Sequence, residues 1–265
     1  MSQTRDRACL CGVSWLRSVT EALDAAPSPV PVFFRDDDAG WGDSRLLALL
    51  DVLAVRGMPV DVAVIPRALG PALARELLLR EHAGLHQHGF AHVNHERAGR
   101  KHEFGPARSA ARQRADIEEG RELLAALLGD RVDPIFTPPW NRCTAATGRC
   151  LIELGFAVLS RESRAEPLGV AGLAELPVHA DFVRLGPDEL AARVAAVIRD
   201  GGPAGVMLHH EEMDAGAMRR AGELAAVVAE HPRARPAGMM ELAGSVVAGA
   251  RAAGPGAARA GARAP

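Results

Sequence analysis

At 265 residues the chain is long enough to bury one large core, and single α/β barrels often run to this size. An apolar share of 48%, a charged share of 24% and a net charge of -2 describe an ordinary globular chain, with no electrostatic reason to expect nucleic acid or an anionic membrane as partner. Four cysteines in this length, with Cys9 and Cys11 too close for a CxxC pair, point to reduced thiols. No secretory leader is legible, and no apolar run approaches the ~20 residues that a membrane span requires, so the expectation is a soluble, cytoplasmic protein.

In chain order, residues 15–23 predict a helix, and a link rich in proline (Pro27, Pro29, Pro31) follows, so 1–29 reads as a helix and linker. The apolar run 30–34 predicts a buried strand that ends abruptly in Arg35-Asp36-Asp37-Asp38. Asp43 or Ser44 can cap a helix over 45–56, which stops at Gly57. The alternation then repeats. Strands are expected at 60–65, 84–88, 134–136, 156–159, 176–178 and 206–208. Helices are expected at 71–81, 109–128, 144–154, 187–198 and 221–230. Seven strand–helix units in succession argue for parallel strands with crossover helices, and thus for a domain over 30–248. The tail from 249 holds little but Ala, Gly, Arg and Pro and is expected to be disordered.

A barrel and an open sheet share this pattern. The unusual polar residues decide between them: Asp37, Asp38, His88, Trp140, His179 and His209 all fall at the C-terminal ends of predicted strands, where ligands gather in both architectures. Strand ends drawn from the whole chain converge most naturally in a closed or nearly closed barrel. An α/β barrel of TIM-like type is therefore expected.

Four of the ten histidines lie within 86–95, in His86-Gln87-His88-Gly89-Phe90-Ala91-His92-Val93-Asn94-His95. Neutral imidazole is a good ligand for zinc and similar ions, and a strand end followed by a turn can bring two rings together. The acidic run at 36–38 is the natural complement, because three aspartates after an apolar strand repel one another without a cation. A strand ending there need not keep strict alternation, so Asp37 and Asp38 can serve one site.

The order strand-Asp-Asp, His-Gly-Phe-x-His, a Pro-rich aromatic turn and then strand-Leu-His resembles the polysaccharide deacetylases of the NodB-homology type (carbohydrate esterase family 4), over roughly 31–210. The wider stretches His86-Gln87-His88-Gly89 with Asn94-His95-Glu96, and Phe136-Thr137-Pro138-Pro139-Trp140-Asn141-Arg142, look like a divergent bacterial subgroup. The resemblance implies a distorted (β/α)7 barrel, consistent with the seven strands counted above, and a hydrolase that removes an acyl group, typically N-acetyl, from an amide. It implies Asp37 as base, Asp38, His88 and His92 as ligands of one divalent metal, and His209 as acid. Trp140 stands where the family uses a backbone N–H to hold the oxyanion. Zinc, cobalt and nickel all suit such a ligand set.

One position departs from the pattern. The family's third motif begins with an arginine that orients the base, and Thr137 stands there. Arg35, on the same strand face as Asp37, can supply the charge; Arg142 can do so from the following turn. Substrate contacts are expected from His86, Asn94, His95, Pro139, Asn141, Arg142, His179 and His210, and His210 can exchange roles with His209. The segment 99–104, with two cations, could meet an anionic substrate. Three Trp, seven Phe and no Tyr offer little for stacking along a long glycan, which leaves a sugar precursor or a small non-sugar amide as substrate. A carbohydrate-binding protein that keeps the metal but not turnover is the reading from another class. The sequence sets no oligomeric state.

Overall fold

The computed structural model describes residues 14–244, so the tail from 249 and the pair Cys9 and Cys11 lie outside the described residues. Among these residues nine strands form one sheet, and every pairing in it is parallel. They are β1 (Val30–Ala39), β2 (Val60–Val64), β3 (Ala83–His88), β4 (Val132–Thr137), β5 (Val158–Leu159), β6 (Ala174–Glu175), β7 (Ala180–Asp181), β8 (Ala204–Leu208) and β9 (Ala234–Pro236). Their order is β6-β5-β4-β3-β2-β1-β8-β7, with β9 against the first residues of β1. The sheet curls toward closure: the stretch 174–182 bonds first to the β5 side, where a parallel bridge from Glu162 to Val178 extends the β5–β6 pairing, and then to β8 through Gly205 and Met207. The architecture is the expected α/β distorted barrel.

Among the described residues seven helices cover it, besides a helical turn at 239–244: α1 (Arg17–Ala25), α2 (Asp43–Ala54), α3 (Pro71–Leu78), α4 (Ala110–Leu128), α5 (Ala145–Glu153), α6 (Pro187–Arg199) and α7 (Ala215–Glu230). Their apolar faces meet the outward faces of the strands. Leu46, Leu50, Leu190 and Leu224, for example, share a core with Val32, Phe34, Val62 and Val206. Each such side chain contributes about 1.5–3 kcal/mol when fully buried. Leu16, Val19 and Leu23 join the same core, so the N-terminal helix packs with the barrel.

The barrel interior is filled separately. Phe33, Ile135, Val158, Leu176, Val178 and Met207 pack there against Ala237, Met239 and Leu242, the last two on a helical turn at 239–244. Asp61 anchors that turn by accepting a hydrogen bond from the Met239 N–H at 2.9 Å.

Several expectations shift. The strand at 30–34 runs on to Ala39, so the acidic run is itself strand. The segment 176–178 falls between β6 and β7, yet its backbone bonds to Leu159 and Arg161 and its side chains fill the interior. Neither Asp43 nor Ser44 caps α2. Gly42 does, with a left-handed backbone (φ 62°) and no side-chain acceptor. Helix α7 begins at Ala215, capped by the Asp214 carboxylate on the Ala217 N–H, six residues before the apolar period becomes legible.

Candidate metal and catalytic centre

Strand β1 delivers three functional side chains in sequence. Arg35 and Asp37 point together into the barrel, as residues two apart on a strand must. Asp36 faces the other way. Asp38 breaks the alternation through a left-handed backbone (φ 72°), at an irregularity in the register between β1 and β2. Aspartate tolerates that conformation better than most residues. The break swings a second carboxylate to the same mouth as Asp37.

His88 ends β3 and His92 lies four residues on, past a turn at Gly89. The Nε2 atoms of His88 and His92 stand 3.0 and 3.2 Å from Asp38 Oδ1. These three donors form the one such cluster of His, Cys, Asp or Glu ligand atoms among the described residues. The His88 Nδ1 faces the Thr137 carbonyl at 3.0 Å, and a carbonyl only accepts, so this nitrogen carries the proton. In the neutral ring Nε2 is then a lone pair aimed at a carboxylate oxygen, and two acceptors this close require a proton or a cation between them. A divalent metal fits that donor set. Burial works against charge on His88, but the hydrogen bond and charge of Asp38, with Asp37, hold its pKa above the ordinary value. Burial and then His88 push His92 down to about 4, which leaves its ring neutral and its lone pair available.

The turn between the two histidines is built for this. Glu103, fully buried, accepts the N–H groups of Phe90 and Ala91 at 3.0 and 2.8 Å and that of Val93 at 3.3 Å. Gly89 adopts φ 53°, and a Cβ there would strike the Glu103 carboxylate and the Pro139 ring. His92 itself is left-handed (φ 57°), and its ring lies between Trp41 (5.0 Å) and Trp140 (4.5 Å).

Asp37 is 2% exposed and is gripped by Arg35, whose Nε and Nη2 each donate to one of its oxygens at 2.8 Å. The same guanidinium donates to Ser160 Oγ (2.8 Å) and Asn141 Oδ1 (2.7 Å), and meets Met207 Sδ. Burial alone would raise the Asp37 pKa; Arg35, with His88 and His209, outweighs it and keeps the carboxyl below its ordinary range. Of the two arginines able to replace the missing motif cation, Arg35 is the one that meets Asp37. Arg142 turns instead to the Lys101 carbonyl. Thr137 is left to bond His86 Nε2 at 2.9 Å.

His209, half-buried at the end of β8, has its Nδ1 3.9 Å from Asp181 Oδ1. Trp140 and Asn141 are consecutive left-handed residues (φ 56° and 58°), so the Pro-Pro-Trp turn reverses sharply beside the site. Pro139 is buried against the Gly89 turn.

Four expected substrate contacts are engaged elsewhere. His210 is fully buried; its Nδ1 and backbone N–H hold the two oxygens of Asp36 (2.6 and 3.1 Å), and its Nε2 meets the Trp41 carbonyl at 2.6 Å. It has no free nitrogen for substrate and cannot exchange with His209. His86 is fully buried beneath His88. Asn94 is exposed but stitches its own loop, with Oδ1 accepting from Glu96 and His102 N–H groups. His179 accepts the Gly205 N–H at 3.1 Å and lines a small side cavity. His95 is exposed on the loop that Asn94 closes.

The His210–Asp36 pair has a measurable signature. Burial opposes charge on His210, but Asp36 and the Trp41 carbonyl carry its pKa up to about 9. A histidine raised in the folded state stabilises fully below its unfolded value of about 6.5 and loses that contribution as pH rises. Urea unfolding is therefore expected to show stability falling from pH ~6.5 to ~9, and H210N should flatten that fall. Equal slopes in both proteins would refute the assignment.

Three residues of this centre went unread in the sequence. Trp41, bracketed by Gly40 and Gly42 just after the acidic run, carried a legible signal: a large aromatic in a polar loop. Asp181 gave little signal, since the expected strand ended at 178 and the two-residue β7 is formed by pairing with β8. Glu103 carried none, since its partners are backbone groups more than nine residues away.

No family model matches this sequence, and no curated protein matches it. Solved structures do. One from Mycobacterium smegmatis assigned as a polysaccharide deacetylase superposes with TM-score 0.69 at 19% identity, over 90% of this chain and 95% of its own. A family 4 carbohydrate esterase from Streptomyces lividans, in complex with acetate, gives 0.50 at 18%, over 77% and 90%. A family 4 pseudoenzyme from Bacillus anthracis gives 0.58 at 15%, over 82% and 66%. At these identities the likeness establishes the fold, and this chain is built on the distorted barrel of the polysaccharide deacetylases of carbohydrate esterase family 4, whose known structures include a pseudoenzyme.

Proposed function

We propose that the protein is a metal-dependent hydrolase that removes an acyl group, N-acetyl in the first instance, from the amide of a sugar or sugar precursor. One observation carries the reading: the Asp38–His88–His92 cluster lies beside an Arg35-held Asp37, with His209 and its Asp181 partner on the neighbouring β8 and β7. Neither Asp37 nor His209 is needed merely to hold an ion.

Asp38, His88 and His92 would hold a divalent ion, which would supply a Lewis acid and bring the pKa of a water molecule down toward neutrality. Asp37, ionised, accepts the proton of the attacking water as it adds to the amide carbon. The Trp140 N–H at the left-handed turn is the donor for the oxyanion, usually the largest single contribution, since the N–H groups of Asn141 and Arg142 already bond the Pro138 and Pro139 carbonyls. His209, with the Asp181 carboxylate 3.9 Å from its Nδ1, passes a proton to the nitrogen as the C–N bond breaks, releasing carboxylate and amine. Acetate, which occupies the Streptomyces lividans esterase, is the product this reading expects.

A non-catalytic, metal-keeping carbohydrate binder is the competing reading, favoured by Thr137 in place of the motif arginine and by the pseudoenzyme neighbour. Arg35 answers the first point. The test is acetate and formate release from a panel of N-acyl sugars and simple amides, by zinc-loaded wild type and D37N. Release by wild type alone supports the hydrolase; metal binding without release on any substrate supports the binder.

A further inference from the structure

Beside the proposed centre lies a cavity of about 560 Å³ lined by five arginines, Arg100, Arg142, Arg161, Arg164 and Arg184. Glu162 is its one lining carboxylate among the described residues. The cavity touches both halves of the catalytic apparatus. Asn141 forms part of its wall and accepts from Arg35, which grips Asp37. On the other side, Arg184 Nε stands 3.2 Å from Asp181 Oδ2, and Asp181 faces His209.

The charge in this cavity is not balanced. Arg161 pairs with Glu175 at 2.5 Å and Arg184 with Asp181, but among the described residues no carboxylate forms an ion pair with Arg100, Arg142 or Arg164. Arg161, only 6% exposed, and Arg142 each keep a buried Nε with no hydrogen-bond partner. Burial first, then Arg100 and Arg184, pull the Arg142 guanidinium below its ordinary range, against the pull of Glu162. Five arginines line one concavity of the size that takes a small molecule, and the guanidinium fork matches carboxylate and phosphate oxygens in pairs.

We infer that this cavity binds an anionic group, phosphate or carboxylate, carried by the substrate, so that the preferred substrate is an acidic N-acyl compound and not a neutral glycan. This rests on the hydrolase reading for the reacting amide, whereas the anion site stands on its own residues. A duplex nucleic acid is a poor occupant, because the basic groups line a cavity and the chain carries a net charge of -2.

The test compares N-acetylglucosamine, its 6-phosphate and N-acetylmuramic acid as substrates for wild type, R100E and R164E; neither arginine belongs to the catalytic set. In wild type at least one acidic substrate is expected to exceed the neutral one by about 10-fold or more in kcat/KM, through KM. The better of the two identifies the anion. Each charge reversal should erase that preference and leave kcat on the neutral substrate unchanged. In parallel, inorganic phosphate is titrated into the metal-loaded proteins, where any binding at the metal is common to all three. Phosphate binding that weakens about 10-fold in both variants supports the site even if no amide is hydrolysed, in which case the hydrolase reading alone falls. Equal kcat/KM for all three substrates, with phosphate affinity indifferent to charge reversal, overturns the inference.

Discussion

Asp38→Asn is expected to strip the protein of its metal and reduce amide hydrolysis to background. The substitution is chosen for its backbone. Asp38 sits at φ 72°, where asparagine is tolerated and alanine would add about 1–2 kcal/mol of strain, so a loss of activity in D38N reports ligand chemistry and not a distorted turn. The neutral amide oxygen is a far weaker ligand than the carboxylate that now faces two imidazole nitrogens at 3.0 and 3.2 Å. Removing an outer-shell partner alone commonly lowers metal affinity by roughly 10–100-fold, and loss of a charged ligand should exceed that. Folding should survive, because the Asp38 side chain is partly open at the mouth and lies outside the apolar cores. Metal content by elemental analysis, with circular dichroism as the folding control, decides the matter. Full occupancy in D38N would contradict it.

Arg35→Met is expected to do damage on two levels. The guanidinium is wholly buried and joins Asp37, Ser160 and Asn141, so its loss leaves a buried carboxylate without its cation and two side-chain oxygens without the donor they accept from. Breaking a buried pair from one side commonly costs about 3–5 kcal/mol. The Asp37 carboxyl, held below its ordinary range by Arg35 against burial, should move up. A depressed carboxyl stabilises the fold above its unfolded pKa of about 3.9 and loses that contribution as pH falls. Denaturant midpoints for R35M should therefore fall well below wild type near neutrality and approach it in acid. The acid limb of the pH–rate profile should shift upward, with kcat reduced by roughly 10²-fold or more as the base loses its orientation. The double variant R35M/D37N should recover part of the stability, because the stranded charge is gone. A merely structural Arg35 would lower stability and leave the pH–rate profile where it was.

How much of this was legible before folding depends on the range of each interaction. The apolar runs of β1 to β4 and β8 announce themselves because each ends in a polar mouth, and the metal cluster is readable because ligand-type residues crowd into 36–38 and 86–95. Strand β9 was not, since Ala234-Arg235-Pro236 has no apolar run and exists only by pairing with Val30 to Val32. No element was expected at 239–244, and only the barrel explains why Met239 and Leu242 on its helical turn are apolar.

In the site, Arg35 was half legible: strand parity put it beside Asp37, but Ser160 and Asn141, which hold its other nitrogens, come from β5 and the Trp140 turn. His210 misled because it neighbours His209 in sequence, whereas the chain turns between them and sends one ring to the site and the other to Asp36. The arginine cavity draws on 100, 142, 161, 164 and 184, positions that share nothing until the sheet curls. The polar run at 99–104 hinted at an anion partner, and Arg100 is its contribution.

The most direct measurement is an anomalous-difference map from crystals of the zinc-loaded protein. A single strong peak bounded by Asp38 Oδ1 and the Nε2 atoms of His88 and His92, beside Asp37, is the expected result. A zinc peak elsewhere, or none at these three atoms in a fully loaded crystal, would contradict the account.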